Sequence, residues 1–110
     1  MCRAKHPRSM KEAVKQLRPW VEKGKAWAQC ALGDKYYQGD GVEQSYQRAR
    51  ELYELSANQG DADAKYNLGV LYANGQGVKQ SNETARELWL KLAEEGNENA
   101  IKQLQRLDEI

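Results

Sequence analysis

A chain of 110 residues has room for one domain or one short repeat array, and no stretch of it resembles a linker between two cores. Its 17 Lys plus Arg nearly cancel its 16 Asp plus Glu, so no strong global field draws in a polyanion, and no run approaches the roughly 18 apolar residues of a membrane-spanning helix. Cys2 and Cys30 are too few and too scattered for a disulfide scaffold or a zinc site and are expected as free thiols.

The N-terminus, MCRAKHPRSMK, is basic but lacks the apolar stretch of a signal peptide. With Met1 as the natural start, the chain reads as cytoplasmic. Residues 1–8 carry no apolar pattern and are expected to be a disordered basic tail, with one repeat domain over residues 9–110. From Ser9 to Lys23 the spacing predicts a lone helix, closed by Gly24, so that residues 9–24 form an N-terminal half-repeat. Pro19 within it removes a hydrogen bond and predicts a kink or break before Trp20.

Residues 25–60 and 61–96 then align without a gap, and 16 of 36 positions are identical, where chance gives about two or three. Each unit opens with a predicted helix, here helix A. Ala28/Ala64, Leu32/Leu68, Gly33/Gly69 and Tyr36/Tyr72 recur at i, i+4, i+5 and i+8, on one helical face. The central Gly costs about 1 kcal/mol of helix propensity, which makes sense where a neighbouring helix approaches the backbone closely.

The loops GDGV (Gly39, Gly41) and GQGV (Gly75, Gly77) end helix A, with Ser45, Ser81 or the nearby Asn82 available to cap the second helix of the unit, helix B. Helix B carries an apolar stripe, Ala49/Ala85, Leu52/Leu88, Tyr53/Trp89 and Ala57/Ala93, and stops at Gly60 or Gly96. In the N-terminal half-repeat, Ala13, Leu17, Val21 and Gly24 sit one period before Ala49, Tyr53, Ala57 and Gly60. Residues 97–110 read as a lone helix A, with Ala100 and Leu104 in register but Gln105 and Asp108 in place of the Gly and Tyr, as in a capping helix. The expected fold is therefore all-α: an α-solenoid of antiparallel helix pairs, two full repeats flanked by a half-repeat at each end.

The runs YNLGVLYANGQGV and ALGDKYYQGDGV, each followed by A-x-x-L-[YW]-x-x-x-A-x-x-G, resemble the Sel-one-like repeat, a 36-residue relative of the tetratricopeptide repeat. The resemblance implies a right-handed superhelix that scaffolds complexes or holds peptides. One secreted, cysteine-rich subset of that family joins its paired helices by a disulfide in each repeat; Cys30 has no such partner in helix B. Pentatricopeptide arrays, which bind RNA, lack the GxGV loop found here.

The expected function is a non-catalytic protein-binding or scaffold module holding a peptide or partner protein on its concave side, as a monomer or weak dimer. With Ala28, Leu32 and Tyr36 as the buried stripe, the opposite helix A face holds Trp27, Cys30, Asp34 and Tyr37, then Asp63, Tyr66, Val70 and Ala73, and finally Asn99, Lys102, Arg106 and Glu109. The aromatics and the two cations suit a peptide with an apolar anchor and an acidic group. Two readings stand for Trp27 and Tyr66: they face the partner, or Trp27 packs on Trp20 and Tyr66 sits in a layer contact. Lys102 and Arg106 also read as a solvated i, i+4 pair.

The alternative function is a weak nucleic-acid or membrane-surface contact through Arg3, Lys5, Arg8 and Lys11. The GDG and GQG loops close helices, whereas a phosphate loop opens one. His6 is the only histidine, and the acidic pairs Asp61/Asp63, Glu94/Glu95 and Asp108/Glu109 read as solvated or helix-dipole partners, so no enzyme, cofactor or metal is expected.

Overall fold

The computed structural model describes residues 6–108, with side chains from residue 10 onward. Six helices follow one another: α1 His6–Glu22, α2 Ala26–Gln38, α3 Tyr46–Asn58, α4 Ala62–Asn74, α5 Asn82–Glu94 and α6 Glu98–Asp108. Each packs mainly on its neighbours in the chain, and the described body measures 46 × 28 × 27 Å. This is an all-α repeat solenoid in which α2/α3 and α4/α5 are the full helix pairs.

The periodic residues account for the packing. Ala28, Leu32, Ala49, Ala64, Leu68 and Ala85 are buried. A Cβ built on Gly33 would lie 2.7 Å from Cε1 of Tyr53, and one on Gly69 would press closer still on Nε1 of Trp89. The glycine in helix A is thus the seat of the large aromatic of helix B, and the lost helix propensity is offset by that burial. Tyr36 and Tyr72 are half-buried and pack at the edges of the core clusters.

The turns follow the same logic twice. Gly39 and Gly75 end α2 and α4 at φ 75° and 68°, in the left-handed region that favours glycine. Gly41 and Gly77 lie against the preceding helix B: a Cβ there would sit 2.5 Å from the Met10 carbonyl oxygen or 2.7 Å from the Tyr46 carbonyl carbon. Ser45 and Ser81 cap α3 and α5, their Oγ atoms accepting from the Arg48 and Thr84 N–H groups at 3.1 Å. Asn82 makes no cap and instead accepts from Gln80 Nε2. Asp61 and Asn97 cap α4 and α6.

Two expectations change. The helix at the N-terminus starts at His6 rather than Ser9, so three residues of the expected tail are helical; Pro7 fits there because the first turn needs no donor from it. Met1 to Lys5, including Cys2, Arg3 and Lys5, lie outside the described residues, as does Glu109 at the other end. Helix α1 also runs through Pro19 without a break. Pro19 and Lys15 are on the exposed side, where water can satisfy the orphaned Lys15 carbonyl, and the ladder resumes with Lys23 N–H donating to the Pro19 carbonyl at 3.1 Å.

Candidate functional site

Two adjoining cavities open along the helix A side. The first, of about 160 Å³, is walled by Asp34, Tyr37 and Gln38 of α2, Tyr53 of α3, and Asn67 and Val70 of α4. The second, of about 370 Å³, lies among α4, α5 and α6, lined by Val70, Ala73, Asn74, Gln80, Asn82, Trp89, Gln103, Arg106 and Leu107. Val70 lines both, so the two cavities adjoin at its side chain, and together they are called the groove.

The half-buried Asp34 is the charged group of the first cavity. Its Oδ1 accepts from the Tyr53 hydroxyl at 2.5 Å and from Asn67 Nδ2 at 3.2 Å. Burial raises its carboxyl above the ordinary 3.8, against the Tyr53 hydrogen bond, and Asp63 pushes it further up. Tyr53 is pushed up in turn, by burial first and then by its bond to Asp34. Tyr37 closes the rim, its hydroxyl donating to Gln76 Oε1 at 3.2 Å and its ring packed 5.2 Å from that of Tyr46.

The second cavity is lined by amides rather than carboxylates, with Arg106 as its cation. Trp89 Nε1 donates to the Tyr66 carbonyl at 3.2 Å, and Gln103 Nε2 donates to the Tyr66 hydroxyl at 2.9 Å. Gln80, from the loop, donates to the Ala73 carbonyl at 3.2 Å, as Gln44 does to the Tyr37 carbonyl at 2.9 Å. The Trp89, Gln103 and Gln80 bonds tie α5, α6 and the loop before α5 to α4 around the second cavity.

Of the twelve residues projected onto that helix A face, Asp34, Tyr37, Val70, Ala73 and Arg106 come together in this groove, while Asn99 is exposed and lines neither cavity. Cys30 does not: it is only 7% exposed, in the cluster of Ala49, Tyr53, Ala64, Leu68 and Leu71. Its thiol is pushed up to about 12, by burial first and then by Asp34, Asp61 and Asp63. Tyr66, one repeat later, is half-buried against Trp89 of its own helix pair, ring centroids 6.1 Å apart, and its hydroxyl accepts from Gln103 of the next layer. The shared register position is therefore a contact between neighbouring layers, which the 100° projection of a single helix cannot reveal.

Trp27 stays 54% exposed but pairs with Trp20 at 6.0 Å, with Lys23 Nζ 4.7 Å above the Trp20 ring. Asp63 and Lys102 are exposed and line neither cavity. Sequence reasoning missed Asn67, whose signal is its place as the one non-aromatic polar side chain between Tyr66 and Ala73. It also missed Asn74, Gln80 and Gln103, which meet only when three helices are assembled. Among the described residues, no group of three or more His, Cys, Asp or Glu side chains is placed to hold a metal ion.

Comparison with known proteins agrees with this geometry. No curated protein matches the chain by sequence. Among solved structures, a Sel1 repeat protein from Oxalobacter formigenes is 39% identical, with a TM-score of 0.80 over 86% of this chain and 71% of that one. A protective antigen of uropathogenic Escherichia coli strains, c5321, which displays an SLR fold, is 35% identical with a TM-score of 0.79. That match covers 83% of this chain but only 20% of the antigen, so this chain spans about a fifth of its length. Helicobacter pylori cysteine rich protein B, 24% identical over 83% of this chain and 68% of that one, shares the fold at a TM-score of 0.75. The Sel1 repeat profile matches residues 28–61 and 62–97, well over half of the sequence, and with two such repeats stacked as described the chain belongs to the Sel1 repeat family.

Proposed function

We propose that this chain is a non-catalytic binding module that takes a peptide segment of a protein partner in the groove along α2, α4 and α6. Sel1 repeats are in general protein–protein interaction modules, and the proteins that carry them are typically non-enzymatic scaffolds. The observation that carries the reading here is the pair of adjoining cavities that share Val70, because partly apolar hollows that meet at one aliphatic side chain, with polar groups in their walls, suit successive side chains of an extended segment. The apolar anchor of the ligand lies against Val70 and Ala73, and its acidic group meets Arg106.

Partner capture followed by mass spectrometry, then capture of the identified partner by variants, tests this. Val70→Lys projects a long charged side chain into both cavities and is expected to abolish capture while the helical circular dichroism is retained. Retained capture by Val70→Lys, with loss on changing Leu55, which is exposed on α3, would move the binding face off the groove.

A further inference from the structure

We infer that the groove reads the order of charge along its peptide, taking one basic side chain, lysine or arginine, in the Asp34 cavity of the first repeat. This rests on the groove being the peptide site and adds the chemistry that the first repeat selects. One register position carries it. Residues 34, 70 and 106 are spaced by one 36-residue period, on α2, α4 and α6, and they are Asp, Val and Arg. All three line the groove, which therefore runs from an acid through an aliphatic contact to a base. The complementary ligand presents a base, an apolar residue and an acid in that order.

The Asp34 end is built for a cation in three respects. Tyr53 and Asn67 both bond to Oδ1, and among the described residues no hydrogen bond reaches Oδ2. The carboxylate is thus fixed in place with one oxygen open. Neither ion pair among the described residues, Arg50–Glu54 and Arg86–Asp108, involves Asp34. Of the charges that act on Asp34, Asp61 and Asp63 are negative and only Lys35 is positive, so the site is short of positive charge. The walls are the remaining feature. Tyr37 and Val70 offer apolar surface to the aliphatic stem of a basic side chain while its head meets Oδ2, and a volume of about 160 Å³ accepts a side chain rather than a folded element.

The test uses the full chain, isotope-labelled, with Nα-acetyl-lysine methylamide as the probe and the norleucine and glutamate analogues beside it. The lysine probe is expected to shift the Asn67 side-chain amide and the Asp34 carboxyl carbon saturably. The norleucine probe is expected to be at least tenfold weaker, and the glutamate probe to act instead on Gln103 and Asn82. With the lysine probe bound, the Asp34 carboxyl carbon is expected to titrate at lower pH, a readout that needs no variant. Asp34→Asn, checked for an unchanged helical spectrum, is expected to lose the lysine response at least tenfold.

Lysine shifts no larger at Asn67 than at the exposed Glu87, or equal shifts in Asp34→Asn, would overturn the inference. The two readings fail separately. Lysine binding at Asp34 with capture spared by Val70→Lys removes the groove as the partner site. Capture lost in Val70→Lys with no lysine response at Asp34 removes only the charge order.

Discussion

The two repeats share a backbone plan and settle one buried aromatic in different ways. In the first, Tyr53 lies over Gly33 and its hydroxyl reaches the side chain of Asp34. In the second, Trp89 lies over Gly69 and its shorter N–H reaches the backbone carbonyl of Tyr66, which leaves the position of Asp34 free to be Val70. A buried polar handle must find an acceptor, and whether that acceptor is side chain or backbone decides whether a charge enters the groove.

The strongest way to break the comparison is to remove the aromatic. Trp89→Ala is expected to cost about 4 kcal/mol in urea unfolding, because Trp89 is 2% exposed and fills the seam of α4, α5 and α6. Filling the seat comes next. Gly69→Ala is expected to cost about 3 kcal/mol and Gly33→Ala about 2 kcal/mol, in that order because the added Cβ meets Trp89 more closely than it meets Tyr53. Equal melting temperatures for the two variants would show that the aromatics yield equally.

Trp89→Tyr sharpens the contrast by placing a phenol opposite Val70, with an expected loss of about 2 kcal/mol. Adding Val70→Asp supplies the acceptor of the first repeat, and a double-mutant cycle is expected to show favourable coupling of about 1 kcal/mol. The caps should not distinguish the repeats: Ser45→Ala and Ser81→Ala are each expected to cost about 1 kcal/mol. The smallest effect is the pH dependence. Asp34 holds its proton more tightly folded than unfolded, so its contribution to stability is greatest at low pH and falls as pH rises from about 3.8 through its raised folded value. Subtracting the Asp34→Asn profile from that of the unaltered chain is expected to leave this downward slope, with no counterpart in Val70→Asn.

The 36-residue period was enough to place both helix pairs, the close approach at Gly33 and Gly69, the turns at Gly39 and Gly75 and the caps at Ser45 and Ser81, because each depends on residues near in sequence or one period apart. The groove was half legible. Asp34, Tyr37, Val70, Ala73 and Arg106 follow from the helix A projection, whereas Cys30 and Tyr66 share a projected face with them and meet the next layer, Cys30 in the cluster with Ala64 and Leu68 and Tyr66 through Gln103. Covering depends on how far successive layers rotate, a quantity that no single helix encodes. Pro19 shows the converse: local chemistry argues for a break, but the carbonyl it orphans lies on the exposed side, within reach of solvent, which makes continuity inexpensive.

The second glycine of each GxGV loop has a consequence for the length of such proteins. Gly41 touches the backbone at Met10 and Gly77 touches it at Tyr46, so equivalent atoms meet across both junctions. A tandem copy of residues 61–96 inserted after Gly96 would meet a like surface on α5 and present one to α6. Growth or loss by whole units then leaves this glycine-to-backbone contact alike at every such junction, while the residue at the position of Val70 sets the charge that each added unit places beside the cavities.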